Sequence, residues 1–329
     1  MYTEKSKKLE TILRDSKKIV FPQPNKLDAD SLASALALKR IFEDMGKEAI
    51  VYTSQKIKEN LSFVPNIEKV TDQFPTDFDL AILVDAGGLK EADISLNEYR
   101  ELFEERPFVI IDHHIPEEDN KIPFSDLEII DPDAPATGQM VFDIAKELGW
   151  KIDKEIADML MTSIMLDTLF LTIPRVKEKD LRSVSELVAL GSSIYEIKRN
   201  HDRAAGYDLD LIKYKAKLIN RIELYRNGTI GIVQITKEEM DKYESRLRPS
   251  DLIVYDIQWL KGVEVAATLS DTGELIRCSM RAHVPVAQKA AKHFGGGGHE
   301  RAAAFVVEDK SLAEVKEELI EVLSNLLEN

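Results

Sequence analysis

Leu80-Ala81-Ile82-Leu83-Val84 is an unbroken apolar run that ends at Asp85, and it decides the fold. Its length is that of a strand, and the lack of polar alternation is typical of a strand buried on both faces. Similar runs occupy residues 19–21, 49–52 and 108–111, and helical apolar patterns occupy residues 30–45, 137–148 and 154–171. Strands that alternate with helices predict an α/β fold with a doubly wound, mostly parallel sheet.

The pattern changes beyond residue 182. Helical periodicity dominates to about residue 221, and shorter segments follow at 229–236, 262–270 and 274–280, flanked or separated by turn residues as hairpins require. A last amphipathic helix is predicted at 311–327. We therefore expect a first domain at 1–190, a helical connector at 191–224 and a smaller α+β domain at 225–329.

Composition excludes several classes of protein. The chain has 329 residues, with 44 Lys+Arg against 59 Asp+Glu, a net charge of −15 and one cysteine. No apolar run approaches the roughly 20 residues that a bilayer requires, so we expect no membrane partner. A single cysteine favours a reducing, cytoplasmic location. The acidic excess argues against binding to long nucleic acid, although a local basic pocket can still hold a small anion.

Acidic and imidazole side chains follow three of the predicted strands. Asp28 and Asp30 come after the first strand, Asp85 after the third, and residues 112–114 (Asp-His-His) after the fourth. In open parallel sheets, ligands bind outside the carboxyl ends of the strands. A further acid, Asp167, lies in an apolar helical segment, where a carboxylate is costly unless something positive neutralises it. These side chains are predicted to converge on one pocket.

Each acid taken alone has a structural interpretation. Asp30 could cap a helix, Asp85 could begin a turn, and Asp167 could pair with a buried arginine. Together, however, four converging carboxylates repel each other by several kcal/mol without a cation. Carboxylates with imidazole suit Mn²⁺ or Mg²⁺, and an Asp that bridges two ions is an arrangement used for hydrolysis at phosphorus. The leading interpretation is a binuclear metal site.

The ordered motifs resemble the DHH phosphoesterase family with its C-terminal DHH-associated domain. The residues that carry the resemblance are Asp28-Ala29-Asp30-Ser31, Asp85, Asp112-His113-His114, Asp133-Ala134-Pro135-Ala136-Thr137-Gly138, Leu166-Asp167-Thr168 and the glycine-rich segment 294–304. They are similar to the branch that degrades short oligonucleotides, 3′-phosphoadenosine 5′-phosphate or cyclic dinucleotides. The resemblance implies a hydrolase that attacks phosphorus with metal-activated water.

The resemblance also implies a ligand set. Asp30, His113 and Asp167 would hold one metal ion, and Asp85 would bridge to a second. The second ion would be bound by Asp28 and by a histidine four residues upstream of it. Two Mn²⁺ ions are expected, with Mg²⁺ or Co²⁺ as alternatives.

Two further roles are implied beside these ligands. His114 would lie near the scissile phosphate, and Asp112 would orient a neighbouring histidine. Asp85, His114 and Asp112 are therefore the expected catalytic residues.

The chain departs from the family pattern at the first motif. The position four residues before Asp28 is Pro24, which has no side-chain donor, and Gln23 and Asn25 offer only weak amide oxygens. The chain also has Ala86 where the family often has a hydroxyl residue, and Leu169 where the family has glycine. We expect one weakened metal site. The alternative to an enzyme is a degenerate nucleotide-binding protein with little or no catalysis.

The four glycines at 295–298 lie between a predicted helix and a predicted strand. Glycine lets backbone N–H groups approach an anion, although most glycine runs are flexible linkers. The resemblance implies that this segment and its neighbours bind the nucleotide and clamp it against the metal site. The expected substrate-binding residues are Ser279, Arg281, Gly296, Gly297, Gly298, His299 and Arg301. A short oligonucleotide or small nucleotide is the expected partner, with a homodimer as a further expectation, and an inorganic polyphosphate is a less favoured substrate.

Overall fold

The structure is a computed structural model that describes residues 2–92, 94–115, 118–204, 206–244 and 246–328. The chain divides into two compact units, Met1–Gly206 and Tyr207–Asn329. The division falls inside the segment 191–224 that the sequence predicts as a connector.

A six-stranded parallel sheet forms the centre of the first unit. Its strands are β1 (Lys18–Pro22), β2 (Glu48–Tyr52), β3 (Val70–Thr71), β4 (Leu80–Val84), β5 (Phe108–Asp112) and β6 (Leu127–Ile130). The strand order is β3-β2-β1-β4-β5-β6, and every neighbouring pair is parallel. The order reverses between β1 and β4, and such a switch point opens a crevice at the carboxyl ends of the strands.

Helices cover both faces of this sheet. They are α1 (Thr3–Asp15), α2 (Ala29–Asp44), α3 (Ser95–Glu98), α4 (Arg100–Glu104), α5 (Thr137–Leu148), α6 (Lys154–Asp167), α7 (Glu178–Ala189) and α8 (Ile194–Ala204). Ile82 and Val84 of β4 pack into the core beneath α2, α5 and α6, whereas Ala81 and Leu83 pack toward Phe103 of α4. The prediction of a doubly wound sheet is confirmed. Among the described helices, none is long and apolar enough to cross a membrane.

The second unit contains a mixed six-stranded sheet. Its strands are β7 (Glu223–Tyr225), β8 (Ile230–Ile235), β9 (Val265–Asp271), β10 (Ile276–Ala282), β11 (Gly297–His299) and β12 (Ala302–Val307), in the order β11-β12-β10-β9-β8-β7. Its helices are α9 (Leu209–Ile219), α10 (Lys237–Tyr243), α11 (Val254–Gln258), α12 (Ala287–His293) and α13 (Leu312–Leu326). Among the described strands of this unit, only β8 and β9 pair in parallel. The predicted α+β class of this region is confirmed.

The helix predicted at 154–171 ends earlier, at Asp167. Leu169, Phe170 and Leu171 all have left-handed backbone conformations, with φ of 47°, 57° and 66°. The Thr168 carbonyl accepts a hydrogen bond from the Thr172 N–H at 2.9 Å, which closes the turn. The apolar residues that extend the helical pattern therefore belong to a left-handed turn that carries the chain away from Asp167.

Candidate metal centre

The crevice at the switch point gathers the predicted acids and histidines. Asp30 lies in the first turn of α2, directly after β1, and Asp85 follows β4. His113 follows β5, and Asp167 is the last residue of α6. Because β1, β4 and β5 are parallel neighbours, their carboxyl ends meet at one edge of the sheet and bring these side chains together.

Asp30, His113 and Asp167 form one group of donor atoms that could hold a metal ion. His113 Nε2 lies 3.8 Å from Asp30 Oδ2 and 3.7 Å from Asp167 Oδ2. His113 Nε2 and Asp167 Oδ2 are both buried without a hydrogen-bond partner. Buried polar atoms without partners are costly, and a divalent cation between them would satisfy both. The donors therefore fit a metal ion.

A second group adjoins the first and consists of Asp85, His113 and His114. Asp85 Oδ1 lies 3.3 Å from His113 Nε2 and 3.5 Å from His114 Nδ1. Asp112 lies behind the second histidine: its Oδ1 is 2.9 Å from His114 Nδ1, and its Oδ2 accepts a 2.7 Å hydrogen bond from the Gly87 N–H. The backbone of Gly87 thus anchors Asp112, and Asp112 fixes the orientation of the His114 ring.

Asp30 is held by donors from three helices. Its Oδ2 accepts from the Thr137 N–H at 2.8 Å, and its Oδ1 accepts from Gly138 N–H at 3.2 Å, at the N-terminus of α5. The hydroxyls of Ser163 and Ser34 donate to the same Oδ1 at 2.5 and 3.1 Å. Sequence reasoning missed both serines. Helical spacing is the sequence feature that could have indicated them, because Ser34 lies four residues after Asp30 and Ser163 lies four residues before Asp167.

The predicted substrate-binding residues of the second unit lie on neighbouring strands. Ser279 and Arg281 of β10 pair with β12, whose other neighbour β11 carries Gly297 and His299. Ser279 and Gly297 share one β12 partner, and Arg281 and His299 share another. Residues directly opposite one another in an antiparallel sheet point to the same face, so Ser279, Arg281 and His299 share a face. Arg301 is exposed in the turn before β12.

The glycine run is part of the sheet. A Cβ atom on Gly296 would lie 2.3 Å from the Ala304 carbonyl oxygen, and one on Gly298 would lie 2.6 Å from that of Ala302. Gly298 also has a φ of 134°, which side chains rarely allow. Gly296 and Gly298 are therefore required by close backbone packing, and the flexible-linker alternative is wrong. Binding of substrate by these residues remains a prediction.

Comparison with known proteins identifies the first unit. Residues 18–164 match the DHH family, N-terminal domain. The first unit contains a DHH-family domain. Two relatives are bifunctional oligoribonuclease and PAP phosphatase NrnA proteins: that of Bacillus subtilis is 23% identical over 84% of this chain and 85% of its own. That of Thermus thermophilus is 25% identical over 90% of this chain and 86% of its own.

The similarity to these relatives continues beyond the DHH domain. The two alignments span 286 and 300 residues, more than the first unit contains, so each extends into the second unit. In fold, the chain is similar to an exopolyphosphatase-related protein from Bacteroides fragilis, with a TM-score of 0.84 and 22% identity over 99% of this chain and 98% of the other. The DHH-family assignment therefore rests on a domain match, and the fold of the whole chain has a known counterpart.

Without a bound cation, the electrostatics of the candidate metal centre favour protonated side chains. Burial and the neighbouring Asp30 raise the pKa of Asp85 to about 8 and that of Asp167 to about 6. Burial alone would lower the pKa of His113, but the carboxylates around it, Asp85 first, raise it to about 9. The metal-free site thus holds protons that a divalent cation would displace.

The first motif of this DHH domain differs from the expected ligand arrangement. The helix cap is Asp28, whose Oδ1 accepts from the Ser31 N–H at 2.9 Å, so the alternative role considered for Asp30 is wrong. Asp28 joins neither donor group among the described residues. Pro24 forms an isolated bridge with Ala92, and the Asn25 amide donates to the Ala92 carbonyl at 2.5 Å. The second donor group consists of Asp85 and the two histidines, and ligation of a metal ion by Asp28 stays a prediction.

Proposed function

We propose that the protein is a metal-dependent phosphoesterase that hydrolyses phosphate esters of short oligonucleotides or small nucleotides. The observation that carries the proposal is the donor group Asp30–His113–Asp167, with buried Nε2 and Oδ2 atoms that lack partners. The donor chemistry, two carboxylates with one imidazole, favours Mn²⁺, with Mg²⁺ and Co²⁺ as alternatives.

The residues around the donor group have separate roles in this proposal. Asp30, His113 and Asp167 hold the ion, and Asp85 belongs to the second donor group, which shares His113 with the first. A bound ion would act as a Lewis acid that activates water and neutralises charge on the phosphate. His114 is half exposed, and its hydrogen bond to Asp112 raises its pKa. It can therefore donate a proton or hydrogen bond to a phosphate oxygen while Asp112 keeps its ring in place.

The substrate class follows from charge and similarity. The net charge of −15 disfavours long nucleic acid, whereas both NrnA relatives are named for oligoribonuclease and PAP phosphatase activities. In the second unit, Arg281 and Arg301 are suited to bidentate contacts with phosphate, and Ser279, His299 and the glycine backbone add hydrogen-bond donors. The cytoplasmic location and the homodimer stay predictions.

A metal-dependent activity panel tests the proposal. It contains short RNA, linear and cyclic dinucleotides, 3′-phosphoadenosine 5′-phosphate and inorganic polyphosphate, each with Mn²⁺ and with EDTA. We expect Asp85→Ala to lower Mn²⁺-dependent turnover by about a thousandfold, because loss of a metal-bridging carboxylate removes several kcal/mol of charge stabilisation. Asp72→Ala, which removes an exposed carboxylate, is the matched control. Turnover retained in Asp85→Ala would contradict the assigned centre.

The second candidate function is nucleotide binding without catalysis, and Pro24 is the observation that favours it. Counting bound Mn²⁺ by anomalous scattering at the manganese edge separates the two candidates. Two ions with turnover support the enzyme. One ion, no turnover, and turnover gained in Pro24→His would support the degenerate binding protein.

A further inference from the structure

One face of α8 combines an exposed aromatic ring with unpaired guanidinium groups. Tyr195, Arg199 and Arg203 are spaced four residues apart, which places them on the same side of the helix. Together with Lys198 and Asp202 they line an open surface depression of about 320 Å³. Tyr195 is 71% exposed, and the guanidinium carbon of Arg199 lies 5.7 Å from the centre of its ring. We call Tyr195, Arg199 and Arg203 the α8 basic face.

The charges of this face are not neutralised locally. The Asp202 carboxylate is paired with Lys198, whose Nζ lies 2.5 Å from its Oδ1. Within the described part of the chain, neither Arg199 nor Arg203 has an ion-pair partner, and the Arg199 Nε is buried without a hydrogen bond. The protein has a net charge of −15, so two guanidinium groups without acidic partners indicate an anion-binding site rather than an ordinary solvated surface.

The same helix contacts the segment that leaves the metal centre. Lys198 Nζ lies 5.3 Å from the centre of the Phe170 ring, and the His201 ring packs edge-on against Phe170 at 5.9 Å. Phe170 is three residues after Asp167, so their Cα atoms are at most about 11 Å apart. Phe170 therefore joins α8 to the metal centre through one short turn within the same unit, and Lys198, which contacts Phe170, flanks the α8 basic face.

We propose that the α8 basic face binds a nucleotide of an oligonucleotide substrate beyond the ester that is cleaved. The guanidiniums of Arg199 and Arg203 contact a backbone phosphate, and the exposed Tyr195 ring stacks on a base. This inference rests on the proposed function, and it names oligonucleotides longer than two residues as substrates that gain affinity from α8. On this proposal a dinucleotide occupies the metal centre and gains no affinity from α8.

Binding is measured first, by fluorescence anisotropy of a labelled RNA pentanucleotide on the full-length protein in EDTA, where no hydrolysis occurs. We expect Arg199→Glu and Tyr195→Ala each to raise the dissociation constant about tenfold, since the loss of a charge-assisted phosphate contact or of a stacked base has an effect of about that size. Lys151→Glu makes the same charge change at another exposed site of the first unit and should alter it less than about twofold. Arg203→Glu is a second charge reversal on the face, in case Arg199→Glu unfolds.

Steady-state kinetics then compare substrate lengths with Mn²⁺ present. We expect Arg199→Glu to raise KM for the pentanucleotide about tenfold with kcat unchanged, and to leave both constants for a dinucleotide unchanged. Equal effects on both lengths, or pentanucleotide binding unaffected by all three variants, would overturn the inference. A change of oligomeric state in sedimentation velocity would also overturn it, because the face would then be a subunit interface. If neither length is hydrolysed, the proposed function fails while the binding measurement still decides the role of α8.

Discussion

Ser163 is the residue on which the geometry of Asp30 most depends. Its hydroxyl is fully buried, donates to Asp30 Oδ1 and accepts from the Gly138 N–H at 2.9 Å. It therefore ties α6 to α2 and to the N-terminus of α5 through a single oxygen. Residues that orient a metal ligand in this way typically affect metal affinity by 10- to 100-fold.

We expect Ser163→Ala to weaken Mn²⁺ binding about tenfold, because the Asp30 carboxylate loses its shortest hydrogen bond and gains rotational freedom. Isothermal titration calorimetry with Mn²⁺ on metal-stripped protein measures this affinity. The control is Ser192→Ala, which removes a buried hydroxyl without a partner elsewhere in the same unit. An unchanged Mn²⁺ affinity in Ser163→Ala would contradict this role, because the remaining hydrogen bonds would then be enough to orient the Asp30 carboxylate.

The candidate metal ligands are easier to predict from the sequence than the residues that hold them in place. Asp30, Asp85 and His113 follow strands, so the rule for parallel sheets is enough to predict that they converge. Ser163 supports Asp30 across 133 residues of chain, and only the packing of α6 on α2 brings the two together. Asp28 caps α2 through the Ser31 N–H, and ligation of a metal ion by the same carboxylate stays a prediction.

In the turn after α6, the helical apolar pattern predicts the wrong structure, because the helix ends at Asp167. Residues 169–171 continue an apolar pattern without glycine or proline, and the indication of a left-handed backbone is that Leu169 stands where the family resemblance places a glycine. Left-handed conformations cost non-glycine residues roughly 1 kcal/mol each or more. Packing offsets part of this conformational cost, because Phe170 contacts the core of the first unit. Leu169 gains little from packing, since its side chain is 61% exposed.

Leu169→Gly is therefore expected to stabilise the protein, by about 1 kcal/mol, because glycine accepts the left-handed conformation and little apolar burial is lost. Urea unfolding measures the free energy. The matched control is Leu181→Gly in α7, where an equally exposed leucine lies in a regular helix and glycine should cost about 1 kcal/mol. Destabilisation by both substitutions would contradict the strained turn.

In the second unit, one ion pair joins the end of α9 to α10. The Arg221 guanidinium binds both carboxylate oxygens of Glu239, with Nη1 to Oε2 at 2.8 Å, and Glu239 also caps α10 through Thr236. Burial would raise the pKa of Glu239, but Arg221 and the backbone N–H of Thr236 lower it below its usual value.

A lowered folded-state pKa gives stability that is present above the unfolded pKa, near 4.5, and is lost as pH falls through the folded value. We expect Glu239→Gln to lower the free energy of unfolding by about 1 kcal/mol at pH 7, because the pair is partly solvated, and by little at pH 3. Urea unfolding at the two pH values measures the difference. Glu317→Gln, an exposed glutamate of α13, should show no effect at either pH.

The two units have separate hydrophobic cores, and the acidic metal centre lies in the first unit. Each unit has its own sheet and its own buried clusters, around Ile82 and Leu83 in the first and around Cys278 and Val233 in the second. The change of sequence pattern beyond residue 182 is the feature that predicts a second, α+β fold. The carboxylates of the metal centre all belong to the first unit, so that unit alone carries their mutual repulsion when no cation is bound.

Metal removal should therefore lower the melting temperature of the first unit only. A ligand that binds the native state at a hundred times its dissociation constant stabilises it by about 2.7 kcal/mol, so the first-unit transition should shift by several degrees between Mn²⁺ and EDTA. The two tryptophans allow the units to be told apart: Trp150 packs against Phe42 at 5.4 Å in the first unit, and Trp259 lies in the second. In Trp259→Phe, fluorescence reports only the first unit, while calorimetry follows both transitions. Asp167→Asn in that background should abolish the metal-dependent shift, and an equal shift of both transitions would mean that the cation stabilises more than the DHH domain.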